Sequence, residues 1–373
     1  MKEVYILDYL RLPTGKKNGR YSFVPPEEFT AFLLAGILNK YPKLSVLSDK
    51  IFLSTAVGTG GNMARYIALS AGFSYKIPAV SIDAQCVGSY EAINSGYAQI
   101  KSGLADIVLV GGFESNSLLP ERKYHKRDFR HSDEPFIYAD FAPKSFGETS
   151  LVKTAENAAL DFGISKSEMV DWSILSNERA ALTVNSGLLK NVILPFKDNN
   201  KDETLKKAAV LHRFKNREPL IDGATSCLFE DGAAIIVLAS KIGAEKLAAI
   251  PQFKIKGVCT VGVEPNKTPL AFLDAVKENI KYSNAKMSDV DLYEINESFA
   301  LKPLILNKVL GIQTEKINVI GGNLSFGHPF GASGAINLIH LLVSLQHENK
   351  ELGLVAASAA GGLGSSIIVQ RIN

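Results

Sequence analysis

Cysteine is scarce in this chain: Cys86, Cys227 and Cys259 are the only three in 373 residues. They are odd in number and far apart, which excludes a disulfide framework and gives no spacing for a zinc site, so no metal is expected. No apolar run approaches the ~20 residues needed to span a bilayer, so no membrane partner is expected. The apolar part of Met1-Lys2-Glu3-Val4-Tyr5-Ile6-Leu7 is too short for a signal peptide, and Gln370-Arg371-Ile372-Asn373 is not a peroxisomal tail. An excess of one charge is also missing. Lysine plus arginine total 41 against 38 acids, a net charge of +3 that gives no general case for nucleic acid. Gly58-Thr59-Gly60-Gly61 lacks both the Gly-Lys-Ser/Thr ending of a P-loop and the third glycine of a dinucleotide fingerprint. A reduced, cytoplasmic setting is the expectation that fits these absences.

What is present is a large globular composition, with 46% hydrophobic and 21% charged residues. The length exceeds one ordinary domain. Short apolar runs alternate with segments of helical period. Val4 to Leu7, Ile51 to Leu53, Val80 to Ile82 and Asp106 to Gly112 read as strands, with helices following Pro25-Pro26, Asn62 and Cys86. Such alternation predicts an α/β protein with a parallel-rich sheet covered on both faces. The pattern breaks after Ser117. Glu121 to His131 is dense in charge, and sheet-like sequence returns only near Ala233 to Leu238. A second series then follows: strands at Phe253 to Val261, Asp291 to Ile295, Leu352 to Val355 and Ile367 to Val369, with helices between them and Ile317 to Ile320 leading into the His328 block. Strand, reactive loop, helix and Gly-rich strand end thus occur twice. The expected division is 1–117 with 232–249 as a first half, 118–231 as an inserted loop domain, and 250–373 as a second half.

Cys86 lies where a strand turns into a helix. Pro78-Ala79-Val80-Ser81-Ile82 leads into it, and Tyr90, Ile93, Tyr97 and Ile100 recur at helical spacing until Gly103. The free amides and positive end of such a helix favour a thiolate and can bind a developing oxyanion, which predicts a depressed thiol pKa. Taken alone, a cysteine there fits a small buried hydrophobe better than a nucleophile, by roughly three to one.

Two further blocks bear on it: Asn296-Glu297-Ser298-Phe299-Ala300, and Gly321-Gly322-Asn323-Leu324-Ser325-Phe326-Gly327-His328-Pro329-Phe330-Gly331-Ala332-Ser333-Gly334. Together with Cys86 they resemble the thiolase family, which carries a nucleophilic cysteine after a strand, an Asn-Glu-Ala-Phe block and a Gly-His-Pro block. Gly58 to Arg65, Thr154 to Asn157 and Asp231 to Ala234 are similar to further family segments, so the resemblance covers nearly the whole chain. It implies a duplicated five-layer α-β-α-β-α fold with an inserted loop domain. It also implies acyl-CoA as substrate, with no permanently bound cofactor. Cys86 would be the nucleophile. His328 would take its proton or bind the thioester oxygen, and Asn296 would hold a water or that oxygen. Phe299 is either pocket wall or core. Cys227 stands where the family has a serine that contacts pantetheine, and Phe214 corresponds to a residue near the nucleotide end of coenzyme A. Arg122 to Arg127 reads as a solvated loop or a phosphate contact. His340 and His347 are expected to be satisfied or exposed. The family assembles as homodimers or homotetramers, and Ile51 to Val57 is the expected edge strand for pairing.

The chain also departs from that pattern. Ser358, in Ser358-Ala359-Ala360-Gly361-Gly362-Leu363-Gly364, replaces the second cysteine, which in the family abstracts the α-proton for carbon–carbon bond formation. No cysteine follows Cys259. A serine hydroxyl ionises too weakly near neutrality to serve as that base. After Cys86 come Val87, Gly88 and Ser89, reversing the usual Ser-Gly order. Three functions fit: a condensing or cleaving thiolase, an acyltransferase or thioesterase using Cys86 and His328 with another acceptor, or a non-catalytic subunit.

Overall fold

The branched apolar runs become strands in a computed structural model that describes residues 2–372. The strands are β1 (Tyr5–Arg11), β2 (Gly15–Lys16), β3 (Lys50–Ser54), β4 (Ala79–Ile82), β5 (Ile107–Glu114), β6 (Glu230–Ala239), β7 (Phe253–Gly262), β8 (Leu292–Ile295), β9 (Leu352–Ala359) and β10 (Leu363–Arg371). The longer helices are α1 (Pro26–Lys40), α2 (Met63–Ser70), α3 (Gly88–Lys101), α4 (Leu151–Asp161), α5 (Lys166–Ser186), α6 (Ala271–Tyr282), α7 (Leu301–Leu310) and α8 (Phe330–His347). The main path of the sheet runs β4-β3-β5-β6-β1-β7-β10-β9-β8, with β2 paired to β6 beside it.

This order displays the duplication. From one edge inward the first half reads β4, β3, β5, β6, β1; from the other edge the second reads β8, β9, β10, β7. The two series meet where β1 pairs with β7 through Tyr5–Lys254 and Ile6–Phe253. Among the described residues, only a counterpart of β4 is missing from the second half. In its place Ile317 makes one parallel bridge to Tyr293 on β8.

Two expectations change here. The sheet is mixed rather than parallel-rich. The pairs β3–β4, β3–β5 and β8–β9 are parallel, while β6 and β10 run antiparallel to both of their main-path neighbours. Apolar periodicity reports burial on both faces and carries no information on strand direction. For β10 the direction comes from a tight return after β9, with Gly361 and Gly362 at φ 85° and 81°. A Cβ on Gly362 would lie 2.3 Å from Val263 O, so glycine is required there. Second, the segment expected at the edge, Ile51 to Val57, supplies β3, which lies between β4 and β5. The edge strand of the first half is β4.

The centre is a helix pair. α3 and α8 pack together, and α8 is buried from Phe330 to Leu345. Gly334 lets them approach: a Cβ there would lie 2.4 Å from the Tyr90 ring. The core around them draws on Val108, Val110 and Ile236 from the first half and Val355, Ile367 and Val369 from the second. Each fully buried Leu or Ile of α8 contributes about 1.5–3 kcal/mol by leaving water. Separate outer cores hold α1 and α2 on the first half and α6 on the second. The resulting succession is helices, sheet, paired helices, sheet, helices.

Among the described residues, 115–229 add no strand to the sheet and carry α4 and α5. This segment is tied back to β1 by a buried ion pair. Asp202 accepts from Arg11 Nη1 and Nη2 at 2.8 Å each, and from Thr14 N at 2.8 Å. Among the described residues no helix is long and apolar enough to cross a membrane, and no group of side chains is arranged to hold a metal ion.

Candidate active site

The duplication brings two helix N-termini to one place. Cys86 sits in a 3-10 turn (Gln85–Val87) just before α3, and His328 lies two residues before α8 begins. The turn is constrained by its surroundings. A Cβ on Gly88 would lie 1.8 Å from Ser54 Oγ, and Ser89 Oγ accepts from Ala335 N at 3.0 Å. The order Gly88-Ser89 therefore fits β3 on one side and α8 on the other.

A cavity of about 160 Å³ opens there, and Cys86, Cys227, Phe299, Lys302, His328 and Ser358 all line it. Its remaining wall is largely apolar, with Leu151, Val152, Phe229, Pro269 and Phe330. The 115–229 segment reaches it by pairing with the Asn296 block. Cys227 N donates to Ser298 O at 3.1 Å, and Ala300 N donates to Thr225 O at 2.8 Å.

His328 is held from both sides. Its backbone N donates to buried Glu230. Its Nδ1 lies 2.6 Å from Ser333 Oγ and 3.3 Å from Asn296 Nδ2. Ser298 N donates to Asn296 Oδ1 at 3.1 Å, which turns the Asn296 NH₂ toward the ring. Nδ1 thus accepts, and the network assigns the imidazole proton to Nε2. Nε2 is buried with no protein partner. Burial, then the Lys302 charge, lowers the His328 pKa to about 3, so the ring is neutral at physiological pH.

The Asn296 block has its own foundation. Buried Glu297 accepts from Trp172 Nε1, Ser176 Oγ and Asn318 Nδ2 at 2.8 Å each, and from Leu324 N at 3.1 Å. Asn296 itself is buried, lies outside the cavity lining, and meets His328 Nδ1.

The thiol corrects an expectation. Helix position was expected to depress the Cys86 pKa, yet burial pushes it up to about 11, with Lys302 pulling only part of the way back. Partial charges at a helix end are worth less than the loss of water around a thiolate. Cys227 is raised as well, first by burial and then by Glu230. Ser358, at the end of β9, receives Phe272 N at 3.2 Å and lies 3.4 Å from Pro269 O.

Phe214 lies off the cavity, against the small core of Val170, Ile174, Leu211 and Ala224. Cys259 is buried on β7. His340 is buried with its Nε2 unpartnered and its ring edge-on to Phe326 at 4.8 Å, so it is neither satisfied nor exposed. Lys302, Ser333 and Glu230 escaped the sequence reading. Lys302 did leave a trace, as a lone charge in Leu301-Lys302-Pro303-Leu304-Ile305-Leu306.

With this geometry in place, comparison with known proteins is specific. Residues 4–242 match the family model "Thiolase, N-terminal domain", and residues 249–371 match "Thiolase, C-terminal domain". The chain is 31% identical to "Putative acetyl-CoA C-acetyltransferase VraB" of Staphylococcus epidermidis, over 100% of this chain and 99% of that protein. It is 30% identical to the Staphylococcus aureus (strain MRSA252) protein of the same name, over 100% of both. Its structure is similar to the crystal structure of the Bacillus anthracis acetyl-CoA acetyltransferase, with a TM-score of 0.92, 25% identity, and 100% and 99% of the two chains covered.

Proposed function

Because this chain belongs to the thiolase family, we propose that it moves acyl groups from acyl-CoA through a thioester on Cys86, and that carbon–carbon bond formation is its weaker activity. One observation carries the reading: Cys86 and the unpartnered Nε2–H of His328 face one small cavity.

The Cys86 sulfur attacks the thioester carbonyl, and His328 Nε2–H donates to the oxygen as it gains charge. Asn296 and Ser333 hold the ring in that tautomer. The carbon–sulfur bond to coenzyme A breaks, and the proton lost by Cys86 ends on the departing thiol. Phe299 and Cys227 flank the acyl and pantetheine path. Phe214, outside the cavity, is assigned to the nucleotide end of coenzyme A. Ser358 is tied to backbone groups and is too weak an acid to supply a base. The relatives' printed names include acetyl transfer to carbon; with a serine at 358 in place of a thiol base, that step is proposed to be slow in this chain.

The acting form is proposed to be a cytoplasmic homodimer paired through the β4 edge. Val80 on β4, Tyr66 and Leu69 on α2, and Tyr75 between them are all exposed there. Light scattering giving only monomer at micromolar concentration would remove that part. The main test is incubation with acetyl-CoA, intact mass, then tryptic mapping. An acetyl group on Cys86 is expected. A label on Cys227 or Cys259 with Cys86 free overturns the assignment.

A further inference from the structure

Buried cations in this protein are normally paired. Lys166, 9% exposed, donates to Pro219 O at 2.7 Å and Leu220 O at 3.1 Å, and meets Asp222 at 2.8 Å. Arg11, fully buried, is clamped by Asp202. Lys302 is the exception. It is 1% exposed and lines the cavity. Among the described residues no carboxylate, carbonyl or hydroxyl bonds its Nζ. The groups whose charge would stabilise its ammonium are the Cys86 and Cys227 thiols, and both thiols are held toward their neutral forms by burial. An unpaired ammonium in an apolar chamber is costly unless a bound molecule supplies the anion.

We infer that Lys302 selects acyl-CoA substrates whose acyl group ends in a carboxylate, pairing with that carboxylate while Cys86 attacks the thioester at the other end. The cavity is small enough to suit a short dicarboxylic acyl chain, with its methylenes against Leu151, Val152 and Phe330. Burial lowers the Lys302 pKa to about 8, so most of the side chain is still charged at neutral pH. An incoming carboxylate would raise that value and replace the hydration the lysine has lost. The covalent step is unchanged: a Cys86–acyl bond forms, the coenzyme A–acyl bond breaks, the thiol proton goes to coenzyme A, and the distal carboxylate is not consumed.

This inference rests on the acyl-transfer reading, and the test separates the two. Succinyl-CoA and butyryl-CoA have acyl chains of equal carbon number and differ at the far end. The rate of Cys86 acylation by each is followed by intact mass in wild type, Lys302→Met and Lys302→Arg. Wild type should favour succinyl-CoA by on the order of 10- to 100-fold, the worth of one charge-assisted hydrogen bond. Lys302→Met should bring the succinyl-to-butyryl rate ratio to about one, whatever its common effect on both rates through the Cys86 thiol, and Lys302→Arg should keep much of the wild-type ratio. Equal rates in wild type, or a Met variant that keeps the wild-type ratio, overturn the inference. Cys86 acylation without preference overturns this inference alone, whereas no acylation by either substrate overturns the transfer reading with it.

Discussion

Replacing Ser358 by cysteine should raise carbon–carbon bond formation by an amount that depends steeply on pH. The hydroxyl lies in the wall of the Cys86 cavity, at the end of β9, where the structure offers space for a thiol of similar shape. A restored general base is worth about 10²–10⁴-fold, or about 3–5 kcal/mol of barrier. The site works against the upper figure. Cys86, in the same cavity, is pushed to about 11 by burial. A second thiol with that value would be ionised in about one molecule per thousand at pH 8. The gain expected at pH 8 is therefore on the order of 10²-fold, growing about tenfold per pH unit for as long as the pH stays well below that thiol pKa. Two assays decide it in wild type and Ser358→Cys: acetoacetyl-CoA formation from acetyl-CoA, and exchange of labelled coenzyme A into acetyl-CoA. Exchange should be fast in both proteins, and condensation should rise only in the variant. Wild-type condensation as fast as exchange, unaffected by the substitution, would refute the reasoning and show that another group serves as base.

Cys86→Ser should abolish acylation, while Cys227→Ser retains it within about tenfold, the cost of a lost pocket contact of ~1 kcal/mol; mass mapping distinguishes them. Because the Cys86 thiol is raised, its alkylation by iodoacetamide should keep accelerating above pH 9 instead of levelling near 8, and a plateau at pH 8 would place its pKa wrongly. Ser333→Ala removes the shorter contact to His328 Nδ1 and should slow acyl transfer by roughly 10-fold with little change in KM; an unchanged kcat would remove the tautomer argument. Asp202→Ala strands buried Arg11 and should cost about 3–5 kcal/mol in urea unfolding. Burial opposes ionisation of Asp202, but the Arg11 charge and hydrogen bonds outweigh it and hold its pKa below the ordinary value. That stabilisation is complete above the unfolded carboxylate value of about 3.9 and is lost as pH falls through the lower folded value. An Asp202→Ala protein as acid-sensitive as wild type would contradict it.

Local sequence determined what local physics controls. The turn before α3, the tight Gly327-His328-Pro329 passage and the paired series of strands and helices all follow from side-chain period and turn chemistry between near neighbours. Cys86 and His328 could be singled out because the blocks around them, with Asn296 to Ala300, resemble the thiolase family; the turns alone leave a buried apolar cysteine and an ordinary histidine as the simpler readings. Tertiary structure decided the rest, because desolvation and hydrogen-bond partners are set by groups remote along the chain. Strand direction in β6 and β10, and the placing of β4 rather than β3 at the edge, depend on which strands meet. The raised thiol of Cys86 reflects protein packed around it, overriding the helix-end effect that sequence position suggested. Lys302 stands as an odd charge in an apolar helix, but only folding shows it buried at the cavity with no ion pair among the described residues. Cys86 and His328 come together because duplication stacks α3 on α8, which carries two turns from opposite halves of the chain to the rim of one cavity.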